Sequence, residues 1–187
     1  MGRSGDAGQV VSWEEQLFSL FDDLEQQAEA LYDAERDLDL ADRSRSEYAQ
    51  VTLASRLMAS LDSGLGLEVA GVGRIEGTLQ RVGNGWCLLH APGQDWILRG
   101  EAIRAVHAAS PRSLPEVAWS PVTRLGLGSA LRRVADAGER CLLHLVDGSR
   151  HDVVPSRVGQ DFVEGRTAGG DLVLVPFAAL AAAQRRS

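Results

Sequence analysis

Apolar residues Leu17, Phe21, Leu24, Ala28 and Leu31 follow one another at intervals of 4, 3, 4 and 3, the spacing that gathers side chains on one stripe of an α-helix or coiled coil. No proline or glycine falls between Gly8 and Gly64, so nothing in that interval forces the backbone out of a helix. Ser12 suits the N-cap, with Glu14 and Glu15 at the positive end of the helix dipole. The stripe falters at Glu35, resumes at Leu38 and meets the polar run Asp42, Arg43, Ser44, Arg45, Ser46. A second apolar helix is expected over Glu47–Leu61, with a bend or helical hairpin near 42–46. A single unbent rod over 13–62 would instead reach about 75 Å.

From residue 65 the hydrophobic period shortens. Glycine-punctuated runs Leu67–Val69, Gly77–Val82, Trp86–His90 and Trp96–Arg99 predict strands, and the texture returns in Cys141–Val146, Val153–Val158, Phe162–Arg166 and Leu172–Val175. Residues 65–95 and 141–171 align without a gap at an offset of 76. Identical pairs are Leu67/Leu143, Arg74/Arg150, Arg81/Arg157, Val82/Val158, Gly83/Gly159, Gly93/Gly169 and Asp95/Asp171, and Trp86/Phe162 is a similar pair. Average residue frequencies give roughly two identities over such a length, so an internal duplication is the reading. A helix over Ser129–Ala137, with Leu131 and Val134 facing inward and Gly138 as its stop, precedes the second set. Pro111, Pro115 and Pro121 mark a linker between the sets.

Charge also divides the chain in two. Residues 13–50 carry 12 acidic and 3 basic side chains, a net −9, whereas 51–187 carry 13 acidic and 15 basic ones, a net +2. Every basic residue is arginine, which suggests a GC-rich bacterial genome. The longest apolar run, Leu172–Ala183, is interrupted by Pro176 and falls short of the about 20 residues of a membrane-spanning helix. No stretch has the pattern of a secretion signal, and Cys87 and Cys141 are too few for a disulfide framework, so a cytoplasmic location is expected.

The pattern Leu143-x-Leu145-x-Asp147-Gly148, then Arg157-Val158-Gly159-x-Asp161-Phe162-Val163, then Leu172-Val173-Leu174-Val175 and Phe177 resembles the helix-plus-five-strand barrel of Sm-like proteins. The resemblance covers about 45 residues in each copy. It implies assembly through edge strands and RNA binding. Where an RNA-binding member would place a base-contacting residue, Asp161 is followed by Phe162, and the first copy has Gly85-Trp86. The whole chain also resembles a group of actinobacterial proteins, some labelled regulators.

The expected fold class is therefore α+β: an N-terminal long helix or helical hairpin followed by two tandem small Sm-like β-barrels, each preceded by a helix. Residues 1–11 are expected to be disordered and 12–62 to form the helical arm, acidic over 13–46. Residues 63–107 make the first β unit, 108–128 the linker, 129–183 the helix and second β unit, and 184–187 a tail.

Bulky side chains among carboxylates suit a protein contact, and a segment of net −9 repels phosphates. Trp13, Leu17, Phe18, Phe21 and Leu24 are thus the candidate partner-binding residues of a non-catalytic interaction or regulatory adaptor, acting on a protein partner or by self-association. The rival reading is an RNA- or DNA-binding regulator using Arg74, Arg81, Arg150 and Arg157, each of which can pair with phosphate or with carboxylates such as Glu76, Asp152, Asp95 and Asp171. His151-Asp152 reads as a solvated turn pair, and His90, His107 and His144 are scattered singly. Cys87 lies within an apolar strand, as a small buried hydrophobe would. Gly126-x-Gly128-Ser129 lacks the remainder of a phosphate-loop pattern, and no nucleophile elbow or zinc-protease motif is present. No catalytic residue, metal or cofactor is expected.

Overall fold

The computed structural model describes residues 25–27, 29 and 44–186. The chain divides into two units, Met1–Gln50 and Val51–Ser187. In the first, residues 25–27, 29 and 44–48 are helical. The disordered start expected over 1–11, most of the acidic arm, and Trp13, Leu17, Phe18, Phe21 and Leu24 lie outside the described residues.

The second unit starts with a short helix, α1 (Leu53–Met58). Glu47–Leu61 is therefore not one helix. Thr52 has extended backbone and its hydroxyl accepts a 3.1 Å hydrogen bond from the Ser55 amide, a new N-cap in mid-segment. Strands β1 (Gly64–Val69), β2 (Gly73–Gly83), β3 (Trp86–Ala91), β4 (Gln94–Arg99) and β5 (Ile103–His107) follow. Two 3₁₀ turns, Glu116–Ala118 and Pro121–Arg124, then lead to helix α2 (Leu127–Ala137), closed by Gly138 in the left-handed region. Strands β6 (Cys141–Leu145), β7 (Arg150–Val158), β8 (Phe162–Thr167), β9 (Leu172–Pro176) and β10 (Leu180–Arg186) complete the unit. Residues 184–186 thus belong to a strand, where a tail was expected.

All ten strands lie in one antiparallel sheet, in the order β5-β1-β2-β3-β4-β10-β6-β7-β8-β9. This corrects the expected fold class of a long helix followed by two tandem Sm-like barrels: the described residues are dominated by one continuous sheet. The order within each half is nevertheless the same, with the last strand beside the first. The sheet is continuous because β4 and β10 pair, from Ala182 opposite Leu98 to Arg186 opposite Gln94. Over Trp96–Leu98 and Leu180–Ala183 the two strands are apolar on both faces. Trp96 and Leu98 join one core with Ala181 and Ala182, whereas Ile97 packs against the other core with Leu180 and Ala183. Neither face could be left to water, and the β4–β10 ribbon separates the two cores.

A bulge sets the inward faces of β2 and β7. On β2, Ile75 and Leu79 are buried, the pairing register slips between Leu79 and Arg81, and Val82 then turns inward while Arg81 turns out. On β7, Val153 and Pro155 are buried, the register slips between Pro155 and Arg157, and Arg157 again faces solvent. One extra residue reverses the alternation, which is how a strand bends and re-aims a side chain.

Candidate functional site

A hollow of about 650 Å³ in the 51–187 unit lies beside the β4–β10 ribbon. Its walls come from β2 after the bulge, from β3 and β4, from β10, from α2 and from the 120–125 segment. That segment is tied down locally. Trp86 donates its indole N–H to the Leu125 carbonyl at 2.8 Å, and the Asn84 amide donates to the same oxygen at 3.1 Å. Gly83 makes this possible, because a Cβ there would run into the Trp86 indole and come within 2.9 Å of the Leu125 oxygen.

Met58, Leu61, Val82, Trp86, Ile97 and Val134 supply apolar lining. The charged lining is mostly cationic, Arg81, Arg133 and Arg185 against the single carboxylate Asp95, and Gln80, Ser120, Thr123, Ser129 and Gln184 add neutral polar groups. Asp95 is already engaged, accepting from Arg185 at 3.1 Å and lying 2.7 Å from His90 Nδ1. Arg185 also bridges to Glu139 at 3.1 Å. The Arg81 and Arg133 guanidinium groups have no hydrogen bond or ion pair among the described residues.

The four arginines singled out from the sequence are not gathered at one site. Arg74 pairs with Glu76 at 2.9 Å and lines a shallower hollow with His90 and His107. Arg81 lines the large cavity, and Arg150 and Arg157 line neither hollow. The Asp152 carboxylate pairs at the surface with Arg140, at 3.3 Å, instead of Arg150.

Cys141 also lines the cavity, but burial and then the nearby Asp152 charge push its thiol up to about 12, so it stays protonated near neutral pH. Burial does the same to Cys87, also to about 12. Among the described residues no three His, Cys, Asp or Glu side chains gather as a metal site. What the cavity offers is apolar surface with guanidinium groups at its wall.

A second feature is the open edge at β9. Among the described residues this strand pairs with β8 alone and ends the sheet. Leu172 and Leu174 are 49% and 54% exposed, while the alternate residue Val175 is buried. The opposite end, β5, pairs only with β1 among the described residues. No helix among the described residues is long and apolar enough to cross a membrane.

The resemblance implied assembly through edge strands, but sequence reasoning missed the cavity and which strand would be left at the edge, because both follow from where β10 sits. The run Leu180-Ala-Ala-Ala has little strand propensity, and the repeat slips just before it. Leu67 faces Val106 on β5, but its equivalent Leu143 faces Ala183 on β10, which is an offset of 77 rather than 76. An ungapped comparison ends short of that step. No protein-family model matches the chain, and no curated protein matches it.

Proposed function

We propose that the chain is a non-catalytic interaction or regulatory adaptor that receives an extended segment of a protein partner, or of a second copy, along β9. The supporting observation is the apolar edge itself. Leu172-Val173-Leu174-Val175 carries no charge, and its outer side has no strand beside it among the described residues. Edge strands are ordinarily blunted by charge, proline or a covering element because unpaired backbone groups template further pairing; here Pro176 blunts only the last position of β9 and leaves Leu172–Val175 uncharged. Strand addition gains main-chain hydrogen bonds and takes specificity from alternate side chains, here Leu172 and Leu174. The equivalent edge of the first half, β4, is occupied by β10 in this way. Trp13, Leu17, Phe18, Phe21 and Leu24 of the acidic segment are the further anchors in this reading.

The test replaces Leu172 and Leu174 by lysine together. Both are half-exposed, so stability should move by no more than about 0.5 kcal/mol. Loss of partner capture, or a fall in molar mass by light scattering relative to the unaltered chain, supports the proposal. Unchanged capture and mass would remove it.

Nucleic-acid binding is the second reading, favoured by one observation: Arg81, Arg150 and Arg157 have no ion pair among the described residues. It requires salt-sensitive binding of single-stranded RNA or duplex DNA that weakens when Arg81 and Arg157 become glutamate. Absence of binding at low salt rejects it.

A further inference from the structure

The cavity beside the β4–β10 ribbon differs in kind from the β9 edge, because it can surround a small molecule. Its volume of about 650 Å³ falls within the roughly 300–1,000 Å³ usual for small-molecule sites, and such sites combine an apolar lining with a few polar groups. Trp86 and Ile97 offer apolar contact between the two cores, each packing against the second core from a strand of the first half. The polar groups carry an excess of positive charge in a chain whose net charge is −7. Asp95, the one carboxylate in the lining, is taken by Arg185 and His90, which leaves Arg81 and Arg133 without a counter-charge among the described residues. A guanidinium beside apolar surface is best satisfied by an anion that can accept from its planar N–H fork. The position of Arg81 is set by the bulge, which turns it out of the β2 core face.

We infer that this cavity binds a small amphipathic organic anion, its apolar body against Trp86 and Ile97 and its carboxylate drawn to Arg81 and Arg133. Neither half of that chemistry suffices alone. An inorganic anion would leave the apolar lining unfilled, and an apolar cation would meet three arginines.

The test uses the full chain and isothermal titration with decanoate below its micellar range, decyltrimethylammonium and inorganic phosphate. Decanoate should bind at least tenfold more tightly than either of the other two. The double variant Arg81→Glu/Arg133→Glu, whose altered groups are both exposed, should lose at least tenfold in decanoate affinity. Ser129→Trp, which fills the cavity and leaves both arginines in place, should lose a similar factor. Equal binding of the cation, undiminished binding by the arginine variant, or no decanoate binding up to millimolar concentration would each overturn the inference. None of these residues lies on β9, so a negative result leaves the edge-strand reading untouched, and failure at β9 leaves this one intact.

Discussion

Gly83 and Gly159 each stand three residues before an aromatic side chain, and in each case an added Cβ would run into that ring: Trp86 in the first half, Phe162 in the second. Overpacking of this kind costs about 1–3 kcal/mol. Gly159→Ala should therefore lower the denaturation midpoint. Phe162→Ala should cost less in the Gly159→Ala background than in the native one, a coupling that a double-mutant cycle by urea denaturation measures. Gly83→Ala should cost more than Gly159→Ala, because it also crowds the carbonyl that holds Trp86. These two glycines were legible as aligned identities. Two other positions were not, because they are mismatches with a packing reason. At Gly77 an added Cβ would run into the His90 carbonyl and lie 3.1 Å from the Leu89 Cγ. At the equivalent pair the sizes are exchanged, and a Cβ on Gly165 would lie 2.9 Å from the Val153 Cβ. A single-position comparison counts two differences where the structure has one exchange of bulk.

His144 links the halves at the same scale. Its Nε2 lies 2.9 Å from Gln184 Oε1 on β10, Gln184 in turn donates to Gln94 on β4, and the imidazole is tilted against the Trp96 ring with centroids 5.2 Å apart. Burial holds its pKa below the ordinary histidine value, the Gln184 contact opposes that shift, and the Arg150 charge adds to it. The folded state thus binds the proton more weakly than the unfolded chain does. Its contribution to stability is complete above about pH 6.5, the unfolded value, and is lost as pH falls through the depressed folded value. Thermal melts should show the midpoint falling below pH 6.5, and His144→Asn should flatten that part of the profile. An unchanged profile in the variant would place the dependence elsewhere.

At the scale of elements, the start of α1 is capped by the Thr52 hydroxyl. Thr52→Ala removes the acceptor for the Ser55 amide and should cost about 1 kcal/mol, measured by chemical denaturation, whereas Thr52→Ser should be nearly neutral. The period-two runs revealed eight of the strands because their inward residues are large: Leu65, Leu67 and Val69 on β1, or Val163 on β8. Strands β5 and β10 were not legible. They pair at the far side of β1 and β6, and β10 in particular packs through three alanines that read as easily as helix. The break at Thr52 carried a signal in its capping residue, but the absence of proline and glycine outweighed it.

For the whole molecule, the decisive feature is that two similar strand sets do not close off from each other. Small side chains at Ala181, Ala182 and Ala183 let β10 serve both cores while it joins β4 to β6. Ala182→Glu should place an unpaired carboxylate in the first core and destabilise the entire 51–187 unit cooperatively, by several kcal/mol in calorimetry, rather than melting the second half alone. The same joint leaves β9 as an open, uncharged edge. Amide hydrogen exchange on the full chain in dilute solution reads both ends of this arrangement at once. Residues 181–184 should exchange as slowly as β4, while part of β9, Leu172–Val175, exchanges much faster through its unpaired side. Fast exchange of β10, or uniform protection of every β9 amide at the level of β4, would contradict the account.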